Sequence, residues 1–219
     1  MEQSYVKSTN KTLAQTFLWM FFGLLSTGII AAVTYYTGAL VEVAAAWPAL
    51  LIAELIVAVL FGLCFRKLSA GMVTFLFFLY SMITGATFSI IFVAYDLTTI
   101  AYALFATAGF FGVLAYMGFK TERDLTNFGN VLFAALIMAL ILTIINIFLG
   151  SSGLDIVLDW VILIVFAGLT VYDTNKVKMM SEEMTIDQEK VAIYGAMQLY
   201  LDFINMFLRI LEIFGSRRD

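Results

Sequence analysis

Three acidic side chains lie inside otherwise apolar stretches of this 219-residue sequence: Glu54, Asp173 and Asp202. A carboxylate in the middle of a hydrocarbon-spanning helix costs roughly 2.5 to 3.5 kcal/mol by insertion scales, so it persists where it is paired, hydrated or used. Asp202 does not stand alone. Gln198, Asp202, Asn205, Arg209 and Glu212 follow one another at steps of four, three, four and three, which puts them on a single helical face. Such a face cannot meet lipid and must turn into a bundle interior or a water-filled cavity. One use for it is interhelical glue, with Asp202 satisfied by Arg209 or by a neighbouring helix, but bonds of that kind average only about 0.6 kcal/mol. A pathway for an ion or a proton accounts better for a carboxylate in that setting, and the spacing alone leaves the ion open.

The elements that carry these residues follow from composition. Hydrophobic residues make up 63% of the chain and charged residues 13%, against roughly a quarter charged in a soluble domain. The apolar residues fall into runs long enough to cross a hydrocarbon layer of ~30 Å at ~1.5 Å per residue. One proline and the helical character of the runs point to helices, in which every backbone group is satisfied within its own segment. The alternating segments of a β-barrel are not present. The expected fold is an all-α membrane protein with seven transmembrane helices, at about 16–36, 46–65, 71–93, 100–119, 131–149, 156–175 and 191–214, forming a single domain over residues 1–219. The lipid bilayer is its first partner. Pro48 is expected in the first turn of the second span, and Ala108, Gly112 and Ala115 are expected to form a close-packing stripe on the fourth.

There is no histidine, so any pH sensing must use carboxylates, and the single Cys64 leaves no internal disulfide possible. The net charge of −4 has no basic stretch set against it, which argues against nucleic acid as a partner. No cofactor is expected. No nucleophile and base are placed together as an enzyme would need, so no catalytic residues are assigned. The first apolar run is too long for a signal-peptide core and ends in Thr34-Tyr35-Tyr36-Thr37 rather than small residues, so it is kept as a span.

Lys7 and Lys11 precede the first span, Arg66 and Lys67 follow the second, Lys120 and Arg123 follow the fourth, and Lys176, Lys178 and Lys190 surround the loop between the last two. The alternate loops near Val41, Asp96 and Asp155 carry no Lys or Arg. The positive-inside rule then puts the N-terminus in the cytoplasm and, after seven crossings, the C-terminus outside. Arg217 and Arg218 oppose that assignment, since a re-entrant last segment would return them to the cytoplasm. Thr185-Ile186-Asp187-Gln188 reads as a capping box opening the last span. The acidic residues around it, Glu182, Glu183, Asp187 and Glu189, read as a solvated face, because they lack the glycine and spacing of a calcium loop.

Several stretches carry a resemblance to a known family. Leu199-Tyr200-Leu201-Asp202-Phe203-Ile204-Asn205 resembles the last-helix signature of the transmembrane Bax inhibitor motif, or Bax inhibitor-1, family, and Val171-Tyr172-Asp173-Thr174-Asn175 resembles its sixth-helix signature. Gly85-Ala86-Thr87-Phe88-Ser89 and Thr121-Glu122-Arg123-Asp124-Leu125-Thr126 agree as well, in the right order. The resemblance implies a bacterial-type member, a fold with the seventh helix central, and a calcium leak channel. It implies that Asp173 and Asp202 form a paired-aspartate pH sensor and lie on the ion pathway as the metal-contacting residues. Glu54, Arg66, Gln198, Asn205 and Arg209 would support them. It also implies a latch between the sixth-helix aspartate and an arginine ending the second span. Here that position falls on Phe65, so either Arg66 serves from one residue further on or the latch is missing.

Two close aspartates in a poorly solvated site cannot both ionise cheaply, so they would titrate as a pair sharing a proton, a histidine-free switch near physiological pH. Calcium suits oxygen ligands of the kind carboxylates, Asn205 and water provide. The expected function is a pH-sensitive calcium leak channel, with calcium and protons as partners and calcium as the transported ion. The alternatives are a proton-coupled calcium exchanger and a membrane-embedded regulator that binds a membrane protease or an apoptosis regulator. The short tail, with no retention signal after Arg218, leads to the expectation of a bacterial plasma membrane.

Overall fold

In a computed structural model that describes residues 2–183 and 187–215, with side chains from Thr9 onward, the described residues are all-helical with no strand. The helices are α1 (Glu2–Tyr36), α2 (Leu40–Cys64), α3 (Ala70–Phe88), α4 (Ile91–Ala94), α5 (Leu97–Lys120), α6 (Thr126–Leu149), α7 (Ser152–Glu182) and α8 (Gln188–Phe214). Among the described residues seven segments are long and apolar enough to cross a membrane, α3 and α4 together making one, Ala70–Ala94. Their outward sides carry large apolar residues such as Phe21, Leu55, Phe105, Ile147 and Ile164, each more than half exposed. That surface is suited to hydrocarbon rather than water.

The chain divides into two compact units. One holds α1 to α4, the end of α7 from Met179 and the first part of α8 through Tyr200. The other holds α5, α6, α7 through Lys178 and α8 from Leu201. Both draw on α8, and this helix is the most enclosed: 78% of its most apolar window is buried, against 6% of that of α2.

The helices run past the expected limits wherever no residue stops them. α2 starts at Leu40, so Pro48 lies inside it rather than in its first turn. Ala44 to Ala46 are strong helix formers that extend the helix upstream of the proline, and membrane helices tolerate the bond that proline removes. α7 continues beyond Asn175 to Glu182, since the intervening residues include no glycine or proline. The third span breaks at Ser89 and Ile90. There Ser89 Oγ donates to the Ala86 carbonyl, and Thr87 Oγ1 lies within reach of the Thr84 carbonyl, side-chain contacts that compete with the helical ladder. Real stops are also visible: Ser69 caps α3 by accepting from the Met72 N–H, and Gly150 ends α6 at φ 64°, a left-handed conformation that favours glycine.

The expected small-residue stripe is rotated. On α5 the buried residues are Ala103, Thr107, Phe111, Ala115 and Gly118, whereas Ala108 and Gly112 are exposed. Phe111 takes the inward position and meets Phe203 edge-on at 5.5 Å. Thr185 and Ile186 of the expected capping box lie outside the described residues, as do Arg217 and Arg218, and the Lys7 side chain is not described. Among the described residues a different cap is seen, in which Asp187 Oδ1 accepts from the Glu189 N–H at 2.9 Å just before α8 begins at Gln188.

Candidate functional site

Asp173 on α7 and Asp202 on α8 belong to the same unit and are 5% and 2% exposed. Small residues on the neighbouring helices let α7 come close around Asp173. A Cβ added at Gly118 on α5 would strike the Val171 carbonyl and Thr174, and one at Gly129 on α6 would meet the Tyr172 ring. Asn175 Nδ2 donates to the Thr121 carbonyl at 2.8 Å, and Lys178 Nζ to the same oxygen at 3.3 Å. Each residue of Val171-Tyr172-Asp173-Thr174-Asn175 other than the aspartate thus fixes α7 against α5 or α6. The motif is a mounting for one carboxylate.

On α8 the flanking residues do the same. Tyr200 is fully buried, its hydroxyl 2.7 Å from Thr27 Oγ1 within the first unit. Phe203 packs on Phe111, Met206 Sδ accepts from Thr170 Oγ1 at 3.5 Å, and Asn205 Nδ2 turns back to the Leu201 carbonyl at 2.8 Å. The Asp202 carboxylate is held within electrostatic reach of Asp173, and its Oδ2 has no hydrogen-bond partner among the described residues. Two acceptor-only groups are therefore brought together where helix N–H donors are already taken. Such a pair can share a proton or hold a cation between them.

The remaining predicted residues are spread over the chain. Glu54 on α2 accepts a hydrogen bond from Thr87 Oγ1 at 3.0 Å, so it faces α3. Gln198 is partly buried. Arg66 is exposed, its guanidinium 5.8 Å from the Phe65 ring centre, while its carbonyl accepts from Lys190 Nζ at 2.9 Å. Arg209 does not serve Asp202. Its Nη1 lies 2.5 Å from Asp159 Oδ1 and 2.6 Å from Glu212 Oε2. Among the described residues no cluster of three or more His, Cys, Asp or Glu side chains is arranged to hold a metal ion.

A family model described as "Inhibitor of apoptosis-promoting Bax1" matches residues 9–219. The chain belongs to the Bax inhibitor-1 family. Among its relatives, the inner membrane protein YbhL of Escherichia coli strain K12 is 42% identical over 94% of this chain and 92% of its own length. Uncharacterized proteins of Deinococcus radiodurans and Borreliella burgdorferi are each 33% identical over 100% of this chain, and over 95% and 97% of their own lengths. This family member is accordingly an integral membrane protein with inner-membrane relatives in bacteria.

Sequence reasoning missed Asp159. It lies in the sixth predicted span, close to its start and beside Trp160, where a charge reads as interfacial rather than intramembrane. The signal that could have found it was Arg209. A cation on the polar face near the end of the last span calls for a carboxylate from some helix, and α7 offers Asp159 near its start.

Proposed function

We propose that this Bax inhibitor-1 family protein is a pH-sensitive calcium leak channel in a bacterial plasma membrane, controlled by a proton shared between Asp173 and Asp202. The observation that carries the reading is the Asp202 carboxylate, buried beside a second buried carboxylate with one oxygen unpartnered. With one proton between them the two aspartates hold α7 and α8 in one arrangement. Without it their repulsion favours a divalent cation or a rearrangement of the helices. Two carboxylates are too few to cage calcium, which takes six to eight oxygens. Incomplete coordination suits conduction, because an ion that is to pass must bind weakly enough to leave. Asn205, one turn from Asp202, and water would supply further oxygens.

The basic residues of alternate loops support a cytoplasmic N-terminus, and the unbroken α8 supports a full last crossing. Labelling of a C-terminal tag from the cytoplasmic side alone would overturn that topology. For the function, purified protein in liposomes loaded with a calcium indicator is expected to pass calcium at a rate that changes several-fold between about pH 6 and 8. A rate that stays flat across that interval rejects the shared-proton control. A stoichiometric counterflow of protons identifies an exchanger instead.

A further inference from the structure

Arg209 raises a question that the leak pathway leaves unanswered. It lies on the same face of α8 as Asp202, seven residues on, or about 10 Å along the axis. An ion leaving the aspartate pair toward the C-terminal end of α8 along that face therefore meets a guanidinium. Three features distinguish this cation from helix glue. A strong Arg–carboxylate tie uses two parallel N–H bonds, whereas here Nη1 alone faces both Asp159 and Glu212, and Nε is buried with no hydrogen-bond partner. The three side chains are only partly enclosed, at 22%, 17% and 29% exposed, unlike Asp173 and Asp202. And the two carboxylates come from different helices, Asp159 from α7 and Glu212 from α8. Without the arginine they would form a second two-carboxylate cation site on the same face as the first.

We infer that Arg209, held between Asp159 and Glu212, is the charge barrier that slows cation passage at the C-terminal end of the α8 polar stripe. The inference rests on the leak reading above. A fixed positive charge in a narrow polar path repels a divalent ion twice as strongly as a monovalent one. At the same time it occupies the two carboxylates that would otherwise draw the ion in. The leak is slow because the path carries its own counter-cation, and the acidic partners keep that cation in place.

The test is calcium flux into liposomes at one fixed pH, comparing wild type, Arg209→Gln, Arg209→Lys and Glu212→Gln. Arg209→Gln should raise the calcium rate on the order of ten-fold and the sodium rate less. Arg209→Lys should restore the slow leak, and Glu212→Gln, which leaves the guanidinium less neutralised, should slow it further. A structural tie predicts the opposite pattern, in which Arg209→Gln and Glu212→Gln fail together. A second readout needs no flux: in detergent, Arg209→Gln should gain binding of terbium ion, seen as luminescence sensitised by Trp160 beside Asp159. An Arg209→Gln rate equal to or below wild type, without terbium binding, overturns the barrier while leaving the leak channel standing. Absence of calcium flux through the wild-type protein overturns both.

Discussion

The two halves of α8 handle buried polarity in different ways. Through Tyr200 the buried polar groups of the helix are neutral: Tyr194 stacks on Phe65 at 4.2 Å, and the Tyr200 hydroxyl meets Thr27, which in turn donates to the Ser81 carbonyl at 2.9 Å. Beyond Leu201 it carries Asp202, Arg209 and Glu212. A hydroxyl inside a helix can always donate to the carbonyl one turn back, as Thr16, Ser81, Thr107 and Thr170 do here. An ionised carboxylate accepts only, and every N–H in a helix interior is already committed, so it must find a donor on another helix, a cation or a proton. Most buried hydroxyls are accounted for in this way, Thr84 and Thr174 being the exceptions among the described residues. The Asp202 carboxylate, with one oxygen unpartnered beside a second buried acid, is not accounted for in this way, and it lies in the second unit.

The largest expected effect is at the carboxylates themselves. Asp173→Asn or Asp202→Asn removes the like-charge repulsion that makes the two titrate together, so each single variant should abolish the pH dependence of calcium flux between about pH 6 and 8. The double variant should add little, because residues acting as one unit are strongly non-additive. Retained pH dependence in either single variant, or additive changes in the double, would make the two aspartates separate structural features.

The hydroxyl half should respond in stability and not in pH dependence. A Cβ at Gly85 would lie 2.7 Å from the Thr27 carbonyl oxygen and 2.8 Å from Ile30 Cβ, so Gly85→Ala should destabilise the fold by roughly 1–3 kcal/mol. Tyr200→Phe removes one buried hydrogen bond and should cost about 1 kcal/mol. Thermal melts in detergent read both, and the liposome assay should show each variant with the wild-type pH profile. Loss of that profile in Tyr200→Phe would mean that the two halves of α8 are not divided in this way.

Glu54 sharpens the comparison, being a carboxylate in the unit of hydroxyls. It has found a donor in Thr87, so Glu54→Gln, which keeps an oxygen for that bond, should fold normally. By the argument from insertion cost it should still alter conduction or its pH dependence, by less than either aspartate variant. Unchanged flux at every pH would reduce Glu54 to a passive side chain.

The spans were legible because a long apolar run of helix formers has one solution in a bilayer, and the burial of Asp173 and Asp202 because each interrupts such a run. What escaped depended on tertiary contacts. Nothing in Gly85 to Ser89 announces a break, since serine and threonine bend a helix only when their hydroxyls turn inward. The packing face of α5 was misplaced because Ala108 and Gly112 look small in any context, while Phe111 is buried only because Phe203 meets it. Asp159 and its partner Arg209 lie far apart in sequence, and no local pattern links them.

The smallest effect is expected outside the membrane, where the comparison supplies its own control. Asp124, in the loop between α5 and α6, accepts from Thr126 Oγ1 at 2.6 Å and from the Thr126 N–H at 2.8 Å. These bonds favour the ionised form, the side-chain bond most, and hold the carboxyl below the usual aspartate range. Because the native group binds its proton less readily than the unfolded one, its contribution to stability is present above an unfolded value of about 3.9 and fades as pH falls through the lower native value. Melts of wild type and Asp124→Asn should therefore differ slightly at about pH 7 and converge toward about pH 3. A constant offset at every pH would show that the charge contributes nothing. Between about pH 6 and 8 Asp124 is fully ionised, so its replacement should leave the pH dependence of calcium flux unchanged. A shifted profile in Asp124→Asn would show that an exposed carboxylate, satisfied by its own loop, can move a response assigned to the buried pair, and the division between exposed and buried acids would fail at its simplest member.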